Sequence, residues 1–281
     1  MKFTDAQLKQ YQTNGYAIID CPFPAGLTDD CMRAVRKVSS KDETFEKVWN
    51  GNHYRLKPQT PESRWCDLDH SLPFMQIILH VEIIELARQL EGDKDLYLRN
   101  GGIHEMAPGR TVHWHSDGGH AWVEFMHYFA GVNRRNGCLR VVPGSHLLPA
   151  EEQQTLIELA RKKQGIELPK EPFTESEDAE LPGEVSLEVG PHQVIVRSSR
   201  ILHSTWINKT HEGRLMSHWL FRIPSIDDHR FRFEEHLTDE LIGRLSPEQK
   251  EILWLGKEFE INPGHQKERE RDLGNVYWGV V

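Results

Sequence analysis

Residues 193–222 read QVIVRSSRILHSTWINKTHEGRLMSHWLFR. Three short runs rich in β-branched and aromatic residues, 193–197, 201–207 and 214–222, follow one another here, parted by polar turn residues. Working outward, the same texture begins at Leu96 and gives further strands near 96–104, 110–117, 121–130, 138–142 and 185–189, with Gly, Pro and Asn between them. Short strands in series with few helices between them predict a sandwich or barrel and argue against alternating βαβ units. The fold class is therefore mainly β with flanking helices.

The flanks are helical. Thr4 and Gln7 form a capping box, Phe3 with Leu8 fits a hydrophobic staple, and Gly15 ends the helix before a short strand at residues 16 to 19. A second helix is predicted over residues 28 to 38, with Met32, Val35 and Val38 at helical spacing. Residues 42–70 are polar with scattered prolines and read as a long loop, a candidate lid. Ser71 then reads as the cap of one helix, with Pro73 near its start, Ile77, Ile78, Val81, Ile84 and Leu90 on its apolar side, and Gly92 at its end. Residues 148–183 interrupt the strands with a helix around 150–163 and an acidic, Pro-containing stretch whose residues 174–184 read as a solvated loop. Beyond 222, Ser246-Pro247-Glu248-Gln249 combines an N-cap, an N1 proline and a capping-box Gln. With no convincing linker, residues 1–281 read as one domain: a helical N-terminal region 1–95, a β core 96–222 carrying the insertion 148–183, and a helical extension 223–281.

Charge narrows the partners. The formal net charge of −9 disfavours nucleic acid or an anionic membrane surface, both of which need compensating Lys and Arg. No apolar run approaches the length of a spanning helix, and the N-terminus lacks an apolar signal core. Cys21, Cys31, Cys66 and Cys138 are irregularly spaced, without a CxxC pair, and read as reduced thiols. A cytoplasmic protein acting on a small molecule is the expectation. Oligomeric state is not encoded in any feature of the chain.

The chemistry centres on His115-Ser-Asp117. On a strand, residues two apart share a face, so an imidazole and a carboxylate at this spacing converge on one ion. His80-Val-Glu82 has the same spacing but falls in the helix predicted after Ser71, where the two side chains would diverge. Two histidines and one carboxylate make a facial triad, which leaves three positions open on iron, and His203 is the best third ligand. Arg214 follows it by eleven residues at the start of the next strand. A dicarboxylate cosubstrate needs such a guanidinium for its far carboxylate.

These residues resemble the phytanoyl-CoA dioxygenase family. The matches are DAQL from Asp5 with NGYAI from Asn14, His115-Ser-Asp117, NGCLRVVPGSH from Asn136 to His146, SRILH ending at His203, and Arg214. Together they run in the family's order over residues 4 to 222. The resemblance implies a double-stranded β-helix core (a jelly roll, cupin-like). It also implies Fe(II), 2-oxoglutarate and O2, and hydroxylation with release of succinate and CO2. It assigns His115, Asp117 and His203 to the metal and Arg214 to 2-oxoglutarate, with the Thr205 hydroxyl in reach of the same cosubstrate. Met126 stands where relatives often carry an inward Trp.

Other readings attach to neighbouring residues. His113 would share a strand face with His115 and Asp117 if the strand is regular, as an alternative ligand, a supporting donor or a substrate contact. Trp122, Met126 and His218 are candidate pocket residues, although aromatics and Met in strands are more often core. Asn136-Gly137 reads as a tight turn, and Pro143-Gly-Ser-His146 as a loop beside the barrel. A cupin-like dioxygenase using His113, His115 and His203 without 2-oxoglutarate is the competing enzyme; a catalytically silent ligand-binding barrel is the non-enzymatic alternative.

Overall fold

A computed structural model describes residues 2–39, 45–48, 53–56, 68–91, 96–117, 122–167, 173–174, 176–223, 233, 237 and 239–257. At the N-terminus, Thr4 and Gln7 satisfy each other's backbone N–H groups, so α1 (Asp5–Asn14) starts as the capping box predicts. Gly15 ends it at φ 81°. A side chain at that position would also place its Cβ 2.6 Å from the His146 ring, so only glycine fits. β1 (Tyr16–Asp20) and α2 (Ala25–Ser39) follow.

Two expectations change in the next stretch. Within the long loop lie β2 (Phe45–Val48) and β3 (His53–Leu56), an antiparallel pair continuing onto the core sheet. Asn50-Gly51, between them in sequence, is the hairpin signal that marks them. The single helix expected from Ser71 is two, α3 (Leu68–Ile78) and α4 (Val81–Glu91), so Ser71 lies inside the first rather than capping it. The His80 carbonyl accepts from both Ile83 and Ile84 N–H and starts the second helix. Ile77, Ile78, Leu79, Ile83 and Ile84 are all fully buried around this break. One straight helix with a single apolar stripe could not bury so many adjacent positions. His80 consequently sits in the break, and the helical-face comparison with Glu82 does not apply to it.

The remaining elements are β4 (Tyr97–Met106), β5 (Thr111–Val112), β6 (Val123–Tyr128), β7 (Leu139–Val141), α5 (Ala150–Gln164), β8 (Phe173–Thr174), β9 (Val185–Leu187), β10 (Gln193–Ser198), β11 (His203–Thr205), β12 (Arg214–Arg222), α6 (Asp239–Arg244) and α7 (Pro247–Ile252). The strand series read from sequence is thus found nearly in register. Its exception is 110–117, which keeps only two strand residues and a lone bridge at His115.

Every strand pairing among the described residues is antiparallel. The large sheet runs β1-β10-β6-β12-β4-β3-β2, the small one β11-β7-β9, and β5 pairs with β8. Alternation sorts the side chains of the large sheet onto two faces. Val123, Phe125, Val194, Val196, Trp219 and Phe221 pack outward in one core with apolar residues of α3, α4, α6 and α7. Met126, Tyr128 and Ile195 point the other way and meet Leu139, Val141 and Leu187 of the small sheet. Two sheets closing face to face in this way form the jelly-roll core. A third cluster joins α5 through Ile157 and Ala160 to Trp114, Ala179, Leu181 and Leu202, so the segment between β7 and β9 is packed against the barrel. α7 carries the capping box read at Ser246 and Gln249. No described helix is long and apolar enough to cross a membrane.

Candidate metal centre

His115 and His203 face each other across an isolated bridge. His115 N donates to His203 O at 3.0 Å and His203 N to His115 O at 2.9 Å. Asp117 N donates to Ser199 O at 3.0 Å, fixing the carboxylate's own backbone. Ser199 also ties in Trp122: its N–H donates to the Trp122 carbonyl, and its hydroxyl oxygen accepts from the Trp122 amide N–H. The ligand atoms of His115, Asp117 and His203 all lie within 4.8 Å of one another. They are the one such group of three among the described residues.

The imidazoles are oriented by their own chain. Nδ1 of His115 is 2.7 Å from the His113 carbonyl, and Nδ1 of His203 is 3.0 Å from the Ile201 carbonyl. A carbonyl only accepts, so each Nδ1 carries the proton and each Nε2 presents a lone pair. Those Nε2 atoms lie 3.5 Å from Asp117 Oδ1 and 3.8 Å from Asp117 Oδ2 respectively. Burial first, then the Arg197 charge and the neighbouring His115 ring, hold the His203 pKa well below its usual value, which keeps the ring neutral and ready to ligate. Withdrawal from solvent would raise the Asp117 carboxyl; Arg197, His203 and His115 together overcome it and hold the group well below the carboxylate range. Two neutral imidazoles and one carboxylate converging on a point fit a divalent iron site with open positions. The His203 side chain is nearly enclosed, whereas those of His115 and Asp117 are 34% and 24% exposed, so the site opens on their side.

Arg214, first residue of β12, is buried, with its guanidinium carbon 5.2 Å from the Tyr128 ring centre and Nη1 donating to the Gly137 carbonyl. Its Nε–H is buried without a partner, and no carboxylate among the described residues pairs with it. Burial lowers its pKa. A desolvated cation with unused donors is shaped for an anionic ligand. Gly137 belongs to this cradle: at φ 85°, a Cβ there would meet the Trp206 carbonyl at 2.7 Å and the Arg214 guanidinium at 3.4 Å.

The other sequence candidates fall in different places. His113 turns away from the triad to Asp178, Nδ1 to Oδ2 3.2 Å, because strand geometry stops at Val112 and the alternation that would align it with His115 is lost. The Thr205 hydroxyl accepts from Val112 N at 2.8 Å and lies 3.3 Å from the Thr111 hydroxyl, an anchor for β5. Met126 is buried within the barrel, paired across strands with His218 and Ile195. His218 Nδ1 meets Glu124 Oε1 at 2.8 Å. Trp122 is half-buried, with its indole N–H buried and unpartnered. Pro143-Gly-Ser-His146 is structural: the Ser145 hydroxyl accepts from Leu202 N at 2.8 Å, beside His203.

Arg197 and Asp178 are the residues that sequence reasoning missed. Arg197 pairs with both Asp117 and Glu124 from β10. Asp178, expected in a solvated loop, is buried and takes Arg161 at 2.7 Å, His113, and the Trp114 amide at 2.7 Å. An arginine within an otherwise apolar strand was the available signal for the first.

A His-Asp-His set that could hold a metal ion, and a buried guanidinium without a carboxylate partner, lie on one jelly-roll core of the double-stranded β-helix class. The family model of phytanoyl-CoA dioxygenase (PhyH) matches residues 11–216, and the chain belongs to that family. No curated protein sequence matches it significantly. Among solved structures it resembles the non-heme alpha ketoglutarate dependent carbocyclase SnoK from nogalamycin biosynthesis, with TM-score 0.61 and 19% identity over 92% of this chain and 94% of SnoK. The epimerase SnoN in complex with Fe3+, alpha ketoglutarate and nogalamycin RO gives 0.56 and 19% over 78% and 83%. HygX from Streptomyces hygroscopicus with nickel and 2-oxoglutarate bound gives 0.59 and 15% over 79% and 88%.

Proposed function

We propose that this protein is an Fe(II)- and 2-oxoglutarate-dependent dioxygenase that hydroxylates a small molecule, releasing succinate and CO2. The observation that carries the reading is the pairing of a preorganised His115–Asp117–His203 set with the buried, carboxylate-free guanidinium of Arg214. Iron would be held by the two Nε2 atoms and the Asp117 carboxylate, and 2-oxoglutarate would set its far carboxylate on Arg214. When bound, the pair supplies the redox chemistry, with decarboxylation of the keto acid driving the activation of O2.

What the chain contributes is orientation. The Nδ1–carbonyl bonds fix both imidazoles, and the His115–His203 backbone bridge sets their separation. The apolar interior formed by Met126, Tyr128, Leu139, Val141 and Ile195 keeps bulk water from the reacting groups. A cupin-like centre would need His113 beside His115 and His203, and His113 is committed to Asp178. A silent barrel leaves the buried Arg214 without a purpose. The net charge of −9 and the resemblance to proteins whose structures hold nogalamycin RO or hygromycin B favour a small-molecule substrate.

The test is an anaerobic titration of the apo-protein with Fe(II) and 2-oxoglutarate, read by the visible charge-transfer band. A band that disappears in His203→Ala and weakens in Arg214→Ala is expected. Bound iron with no band on adding 2-oxoglutarate would overturn the assignment. Because SnoN is an epimerase and SnoK a carbocyclase, succinate release and product hydroxylation are separate measurements. The second needs a mass gain of one oxygen atom in the substrate.

A further inference from the structure

A charged row crosses the inner face of the large sheet without supplying any metal ligand. Arg197 on β10 stands opposite Glu124 on β6, and His218 on the neighbouring β12 completes the row. The Arg197 guanidinium is buried between two carboxylates, with Nη2 2.8 Å from Asp117 Oδ2 and paired also with Glu124 Oε2. Its Nη1 reaches the Ser198 carbonyl at 3.4 Å and lies 3.5 Å from His203 Nδ1. Glu124 is held in turn on its other oxygen by His218 Nδ1 at 2.8 Å.

A carboxylate ligand free to turn about its last torsion presents either oxygen, or both, to an ion. Here Oδ2 is taken by Nη2 of a guanidinium, and Glu124 Oε2 holds that same nitrogen. Oδ1, 3.5 Å from His115 Nε2 and without the guanidinium contact, is left open to an ion. We propose that Arg197, clamped by Glu124, is a positioning residue that fixes the orientation of Asp117 and so preorganises the metal-binding set. The inference rests on the oxygenase reading of that set. It also makes a choice of sign. As a mere positive charge, Arg197 would repel a divalent cation, and removing it would tighten binding. As a positioning residue, its loss weakens binding despite the charge removed.

The experiment is competition titration of the full-length apo-protein with Co(II) against a chromophoric chelator, using wild type, R197M, R197K and E124Q, with R197M repeated in the Asp117→Ala background. R197M is expected to weaken Co(II) binding by roughly tenfold or more, the size of effect usual for residues that orient metal ligands. R197K should recover most of the loss. In Asp117→Ala, R197M should cause no further loss, because the carboxylate that Arg197 orients is gone and only the repulsive charge is removed. Unchanged or tighter binding by R197M, or an equal loss in the Asp117→Ala background, overturns the proposal. E124Q keeps the guanidinium but weakens its clamp, and decides the matter independently should R197M not fold. Weaker Co(II) binding by E124Q than by wild type supports the clamp, and no loss refutes it. Wild-type protein that binds no Co(II) would instead bring down the oxygenase reading itself, and this inference with it.

Discussion

At the scale of single residues, the centre is built from side chains whose freedom has been removed by short-range bonds. Arg214 is held at Nη1 by the Gly137 carbonyl, while its buried Nε–H has no partner and no described carboxylate pairs with it. Arg214→Ala should raise the KM for 2-oxoglutarate by about 10- to 100-fold, the worth of a charge-assisted, bidentate contact. Succinate formation measured against 2-oxoglutarate concentration checks this, and an unchanged KM refutes it. Gly137 braces Arg214 through its carbonyl, so on the proposed reading it would affect the same cosubstrate one step removed. Gly137→Ala forces a Cβ against the Trp206 carbonyl at a positive φ. It should cost at least about 1 kcal/mol of stability and raise the same KM, because the Gly137 carbonyl that braces Arg214 must move. Denaturant unfolding alongside the kinetics separates the two effects.

Among elements, the segment between β7 and β9 carries more than the acidic composition of 174–184 implies. Asp178 binds Arg161 of α5, the His113 ring and the Trp114 amide, and so fastens the helix to the start of the stretch that carries His115 and Asp117. Arg140 supports the same junction, with its guanidinium 4.8 Å from the Trp114 ring centre and 4.4 Å from that of Trp206. Asp178→Asn keeps the shape but leaves Arg161 buried without its counter-charge, a loss of about 3 kcal/mol. For a chain of this size that corresponds to a fall in Tm of roughly 6–12 °C. A thermal melt with no shift would show that the ion pair is not what fastens α5 to the barrel.

For the whole molecule, stability should depend on pH through Glu91, at the end of α4. Burial pushes its carboxyl up to about 7. The group is therefore neutral in the folded protein while already ionised in the unfolded chain between about pH 4.5 and 7. The folded state binds the extra proton, so stability falls as pH rises through that window and stays low above it, by at most about 3 kcal/mol. Glu91→Gln should flatten this decline and leave the protein more stable than wild type at pH 8. Urea unfolding at pH 5, 6, 7 and 8 measures it, and parallel profiles for the two proteins would exclude Glu91 as the cause. Ligation should act in the opposite direction. Fe(II) with 2-oxoglutarate at 100 times Kd adds about 2.7 kcal/mol under anaerobic conditions. That gain should be absent in His203→Ala.

Amphipathic alternation and turn chemistry are local properties, and they placed the strands from Leu96 to Arg222, the capping boxes at Thr4 and Ser246, and the helix that is now α5. The HxD spacing, His203 and Arg214 were singled out because ligand chemistry restricts residue type as well as spacing, and the fold brings the ligand atoms of His115, Asp117 and His203 within 4.8 Å of one another. Tertiary contacts decided the rest. Whether His113 faces the metal depended on strand pairing ending at Val112, which no local pattern in the stretch announces. The break at His80 came from the demand to bury apolar side chains on both sides of it. The Asp178–Arg161 pair and the Glu124–Arg197–Asp117 row join residues up to 80 positions apart. A charged residue in a sequence looks solvated until its counter-charge is brought beside it, and only the folded chain does that.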